Sequence, residues 1–348
     1  MRILALLVLA VLAAACAAPG PEAARQPTSR VVELELEKVS FADNQTIAGA
    51  PMYVAFERGY YRAESLDVTF QSLPSTQVAQ ALAVNQLNVG VVNPDPALFN
   101  AMDRGLDIKL VAALTRNAPG DKPASLVVRR DLVDTGRYAS PRDLRGHVIA
   151  LPGRQSLFYV DRFLARDGLT LSDVRLTTLS LPDMLPAFNT RAIDAAWAAE
   201  PTATIAEASG LGRIVAVTGD LYPGGIGAAL AFSPTFARQQ PDSARRFAVA
   251  TLRGLRDYYH ALVKKDADAA PLIKILAAHT AVKDARLWEV MGIPSADTNN
   301  PSMEAGPWDT LQDYFISTSQ QLTRVDLDAY IDNAYMTFAL ERLGPDPT

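Results

Sequence analysis

Cysteine is nearly absent: Cys16 is the only one in 348 residues, so no disulfide can close within the chain. Histidine is scarce too. His147, His260 and His279 are scattered over a predicted strand and two predicted helices. No His-Glu-x-x-His spacing and no nucleophile elbow occurs, so neither metal nor serine-type catalysis has its usual residues. Nothing calls for a cofactor or a metal. The apolar run 3–12 falls well short of the roughly 20 residues of a membrane span. Charge of one sign is also lacking: Lys plus Arg number 33 against 38 Asp plus Glu, a net charge of −5. That argues against nucleic acid as a partner, which needs a concentrated basic face.

What is present is globular composition, 49% apolar and 20% charged residues. The length exceeds a typical single domain of roughly 100–200 residues, so two lobes are expected.

Residues 1–15 read as a signal peptide: Arg2 supplies the positive start, 3–12 the apolar run, and Ala13-Ala14-Ala15 the small-residue approach to Cys16. A lone Cys directly after such a signal resembles the bacterial lipoprotein box, although Leu12 stands four residues before the Cys rather than the commoner three. The resemblance implies acylation of Cys16 and anchorage on the extracytoplasmic face of the cell membrane. Residues 16–31, rich in Pro and Ala, read as a flexible tether.

The rest is organised around residues 187–201, Ala-Phe-Asn-Thr-Arg-Ala-Ile-Asp-Ala-Ala-Trp-Ala-Ala-Glu-Pro. They predict a helix end, a reversal at Asn189-Thr190, a buried strand over 192–197 and a loop. Small and apolar residues on both faces of that strand mark a parallel strand covered by helices. Residues 81–96 repeat the phrase: helix end, polar reversal, buried strand 87–92 and the loop Asn93-Pro94-Asp95-Pro96. Upstream, 39–70 and 147–179 share the order strand, polar loop, helix, Gly, strand. Two similar α/β units therefore follow one another.

Lobe one is expected over 32–118, lobe two over 119–220, and a return to lobe one with C-terminal helices over 221–348. A strand is predicted over 32–39, followed by a loop 40–50. The breaks at 115–122 and 218–227 are read as two crossovers, which together make a hinge. In open α/β sheets, ligands sit beyond the carboxyl ends of the strands. The predicted binding residues therefore come from those loops and the helices they open. In lobe one they are Phe41, Asp43, Asn44, Gln45, Tyr53, Ser75 (read as a helix N-cap), Asn93 and Asp95. In lobe two and the second crossover they are Arg154, Gln155, Ser156, Trp197, Glu200 and Tyr222. Tyr53, Phe158 and Tyr159 fit helix core equally well. Asp43 and Trp197 are expected to face each other across a cleft.

Four stretches then carry a family resemblance: Pro51-Met-Tyr-Val-Ala-Phe-Glu-Arg-Gly-Tyr-Tyr61, Ala81-Leu-Ala-Val-Asn-Gln-Leu-Asn-Val-Gly90, Leu144-Arg-Gly-His-Val-Ile-Ala-Leu-Pro-Gly153 and Asp194-Ala-Ala-Trp-Ala-Ala-Glu-Pro201. Over about residues 38–260 the chain resembles the solute-binding proteins of sulfonate, nitrate and thiamine-pyrimidine ABC importers, a family with riboflavin-binding branches. The resemblance implies a type II periplasmic-binding fold, α/β in class, that closes on one small molecule. It also implies delivery to a membrane permease driven by a cytoplasmic ATPase.

For the ligand, acids and amides outnumber the single loop cation, Arg154, and aromatic residues lie near the same loops. This combination favours a planar nitrogen heterocycle, riboflavin or a thiamine pyrimidine precursor. A sulfonate such as taurine, or nitrate, bound through Arg154 and helix N-termini, is the alternative. An enzyme is a third reading: a fungal branch of this fold makes the thiamine pyrimidine using a cysteine cluster and iron. The only cysteine here lies in the targeting segment. A membrane-anchored sensor that signals through its cleft is a fourth.

Overall fold

The computed structural model describes residues 36–347. The predicted signal peptide, Cys16 and the tether lie outside the described residues.

Among the described residues, ten strands form two five-stranded sheets. They are β1 (Glu37–Asp43), β2 (Leu66–Ser72), β3 (Val89–Val92), β4 (Lys109–Arg116), β5 (Ala124–Arg129), β6 (Val148–Leu151), β7 (Arg175–Thr178), β8 (Ala195–Ala199), β9 (Gly212–Val217) and β10 (Ile226–Phe232). The first sheet has the order β2-β1-β3-β10-β4, the second β7-β6-β8-β5-β9. In the first, β1 runs parallel to β2 and β3, and β10 is antiparallel to β3 and β4. In the second, β6 runs parallel to β7 and β8, and β5 is antiparallel to β8 and β9. The two sheets share one topology, and each takes its antiparallel inner strand from the chain just after a crossover. The repeat read in the sequence is thus a repeat of whole α/β lobes.

The inner strands are covered on both faces. Val89–Val92 is buried throughout, and so are the first four residues of Ala195–Ala199. That is why they lack polar alternation. The helix Pro241–Tyr258 turns Phe247, Leu252 and Leu255 into the lobe-one core beside Phe41, Val39 and Phe232.

Two elements differ from expectation. The first strand was predicted to end at Val39 and runs on to Asp43. Phe41, Ala42 and Asp43 are all fully buried, so the polar Asp43 belongs to the strand because its carboxyl is bonded inside the fold. One of the expected C-terminal helices, starting at Pro241, is an α-helix only to Tyr258 and continues as a wider π-turn, Tyr259–Lys264. Lys265, in the left-handed region at φ 59°, stops it.

Candidate functional site

The parallel strands of each sheet end in polar loops, and those loops contain half of the predicted site residues. In lobe one, Asp43 closes β1. Its Oδ1 accepts hydrogen bonds from the Tyr53 hydroxyl at 2.7 Å and from the Gln45 N–H at 3.0 Å. Its Oδ2 is buried without a partner and points at Gly49, where a Cβ would overlap it. Burial pushes the Asp43 carboxyl above the usual carboxylate range, against the pull of its hydrogen bonds. Tyr53 is itself buried, with its ring stacked on Phe70 and on His279. Gln45 is half-buried at φ 56°. Asn44, the residue between them and Asp43, is exposed.

Beyond β2 and β3 the loops are bonded together. Ser75 was expected to cap its helix. It is instead the first residue of the helix Ser75–Ala83, and Pro74 holds the cap position. Its hydroxyl donates to Asn93 Oδ1 at 3.1 Å, and Asn93 Nδ2 donates to the Gly227 carbonyl at 2.9 Å. Asp95 caps the helix Pro96–Asp103 by accepting from the Leu98 N–H at 2.8 Å, and burial raises its pKa.

In lobe two, Arg154 and Gln155 are exposed at the start of the helix Ser156–Ala165, and Ser156 is buried. Arg154 Nε donates to Gln320 Oε1 at 3.2 Å.

Five predicted residues are core or structural. Phe41 is fully buried, its ring 5.0 Å from Phe70. Tyr53 is the aromatic packing and hydrogen-bonding partner of Asp43 rather than a wall of the cleft. Trp197 is 3% exposed within the lobe-two core, stacked on Tyr159 at 4.9 Å and 6° between planes. β8 is flanked by β5 and β6, so its large ring is covered where the small residues around it leave room. Glu200 is buried: Oε1 accepts from Thr204 Oγ1 at 2.8 Å and the Gly292 N–H at 2.9 Å, and Oε2 from the Thr204 N–H at 3.0 Å. Burial raises its pKa. Tyr222 donates to the Pro307 carbonyl at 2.6 Å, with its ring edge-on to Phe158. Among the described residues, no hydrogen bond, ion pair or ring contact joins Asp43 to Trp197.

Three carboxylates expected in the cleft, at Asp43, Asp95 and Glu200, are thus engaged by the protein's own N–H and O–H groups. Of the predicted binding residues, those exposed are Asn44 in lobe one and Arg154 and Gln155 in lobe two. Two cavities, of about 400 and 670 Å³, share a wall of His260, Asp346 and Pro347. No predicted binding residue lines either one.

Each histidine sits against carboxylates: His147 on Asp194, His260 on Asp266 and Asp346, and His279 on Glu57. Gly49, Asp121 and Ser295 matter to this region but have no motif around them. Their roles come from close approach and from contacts between residues far apart in sequence.

Two lobes of matched topology, joined by paired crossovers and presenting polar strand-end loops, define the type II periplasmic-binding fold. The sequence model of the family described as NMT1/THI5 like matches residues 47–261, and the chain belongs to that family. A riboflavin-binding protein, RibY, from Chloroflexus aurantiacus is 28% identical over 250 residues, covering 70% of this chain and 66% of the relative's length, just under two thirds. Among solved structures, the periplasmic aliphatic sulphonate binding protein SsuA from Escherichia coli is 20% identical, with a TM-score of 0.66 over 86% of this chain and 99% of that one. The desulfurization enzyme DSZB is 16% identical, with a TM-score of 0.60 over 88% of this chain and 99% of that one. The fold therefore houses binding proteins and an enzyme alike.

Proposed function

We propose that this chain is the extracytoplasmic solute-binding subunit of an ABC importer. It captures a small planar heterocycle, riboflavin or a thiamine pyrimidine precursor, by closure of its lobes. It hands the ligand to a membrane permease driven by a cytoplasmic ATPase, while acylated Cys16 holds it at the membrane. It is not an enzyme on this reading. Family membership and the RibY relative support the importer role. The observation that carries the ligand class is the polarity of the strand-end loops once internal bonds are subtracted. Asn44 and Gln155 remain exposed, and Ser75 and Asn93, bonded to each other, are half-buried. Amides and hydroxyls offer both donors and acceptors, as a neutral heterocycle requires.

One observation favours a second reading. Arg154 is an exposed guanidinium at the start of a helix, which suits a sulfonate or nitrate. Thermal-shift titration with riboflavin, the pyrimidine precursor, taurine and nitrate separates the two. A rise with a heterocycle and none with the anions supports the first. A rise with taurine or nitrate alone overturns it.

A further inference from the structure

The two crossovers are bonded to each other. Asn117 N–H donates to the Gly225 carbonyl at 2.9 Å, and Gly224 N–H donates back to the Asn117 carbonyl at 2.8 Å. Gly219 N–H donates to the Asp121 carbonyl at 2.8 Å. A Cβ at Gly219 or Gly225 would overlap Ala118 or Tyr222. That pairing is the hinge expected of any two-lobed chain with two crossovers.

A third piece of chain lies on it. Trp288 and Met291 are packed in lobe one with Val54, Leu262 and Leu276, and Ala296 is packed beside Phe41 and Val111. Further on, the Pro301 carbonyl accepts from the Ala113 N–H of β4. Between these anchors the chain reaches across to lobe two, while the Ser295 carbonyl still accepts from the Arg116 N–H of β4 at 2.9 Å. Gly292 N–H donates to Glu200 Oε1 at 2.9 Å, at the end of the lobe-two strand β8. Ser295 donates to the Asp121 carboxylate twice, from N–H at 3.1 Å and from Oγ at 3.0 Å. Gly292 lies so close to Lys122 that a Cβ would overlap the Lys122 carbonyl oxygen.

We infer that residues 292–295 are a third tether across the hinge, which holds the lobes in the arrangement seen here and must yield when they swing. The reasoning is geometric. The segment is fixed to lobe one at both ends and bonded to the base of lobe two in the middle. Rotation about the crossovers therefore changes the Gly292–Glu200 separation. Glu200 is 7% exposed, and a buried carboxylate oxygen that loses one of its two donors raises the free energy of the swung state. Opening and closing are then governed by this segment as well as by the crossovers.

The test uses the full chain without ligand, so its outcome is independent of the proposed transport role. Val84 in lobe one is 63% exposed and Leu176 in lobe two 40%. With Cys16→Ser, the pair Val84→Cys and Leu176→Cys carries spin labels, and pulsed electron resonance reads the distance distribution between lobes. Gly292→Ala pushes the segment off Lys122. Ser295→Ala removes one of its bonds. Gly306→Ala, with open space around its Cβ, is the matched control. The tether predicts one dominant distance in the parent and the control. It predicts a population at other distances that rises about tenfold in Gly292→Ala and about threefold in Ser295→Ala. A parent distribution retained in Ser295→Ala, and in Gly292→Ala if it folds, overturns the inference.

Discussion

The Asp43 carboxyl occupies the space in which a side chain at residue 49 would begin, so Gly49 and Asp43 are a mutually fitted pair. Because Oδ1 is held by Tyr53 and Gln45, Oδ2 has no room to swing away without breaking those bonds. Gly49→Ala should therefore destabilise the fold by about 1–3 kcal/mol. Asp43→Ala in the same chain should recover part of that loss, giving a clear coupling energy in a double-mutant cycle. Additive losses in chemical denaturation would contradict the fitted pair.

The same aspartate carries a pH prediction. Burial raises its folded pKa above the ordinary 3.8. The folded state then holds the proton more tightly than the unfolded state. This contribution to stability is greatest below about pH 3.8 and falls as pH rises through the folded pKa. Asp43→Asn keeps an acceptor for Tyr53 and Gln45 without the buried charge. Its stability relative to the parent should improve from about pH 4 to pH 8. A gap that stays constant across that range argues against a buried charge at Asp43.

His260 works over a higher range. Its Nδ1 lies 2.7 Å from Asp266 Oδ1 and its Nε2 3.2 Å from Asp346 Oδ1. Lys264 pairs with Asp266, and Arg256 stands 3.7 Å from Asp346. The hydrogen bond with Asp266 is the main reason that the imidazole titrates above its ordinary 6.5. Its stabilisation is complete below about pH 6.5 and lost as pH rises through the folded pKa. His260→Gln should lower the melting temperature more near about pH 6 than near about pH 9. An equal drop at both would show that the charged form has no special role.

Trp197 should behave as a core residue. Trp197→Ala removes a ring stacked on Tyr159 and is expected to cost about 3–5 kcal/mol. Ligand affinity of the folded fraction should change by less than about threefold. A large loss of affinity with little loss of stability would return Trp197 to the cleft.

Much of the architecture was legible because it rests on local signals. The repeated helix, reversal and apolar strand at 81–96 and 187–201 became β3 and β8, the inner parallel strands of the two sheets. The Gly- and Pro-rich breaks became the paired crossovers. The site was less legible. Asp43, Asp95 and Glu200 look like ligand-reading acids in a list of loop residues. Which ones are already bonded depends on partners such as Gly292, 92 residues from Glu200, and no local pattern reports them. Trp197 was misplaced for a related reason: its burial depends on Tyr159, which arrives from the helix Ser156–Ala165.

The central claim is that one planar heterocycle is held between strand-end loops of both lobes, and calorimetric titration with riboflavin and the pyrimidine precursor tests it most directly. The account predicts one site with a Kd in the micromolar range or tighter, weakened about tenfold by Asn44→Ala and again by Gln155→Ala. Absence of binding by either heterocycle, or binding that both variants leave intact, would contradict it.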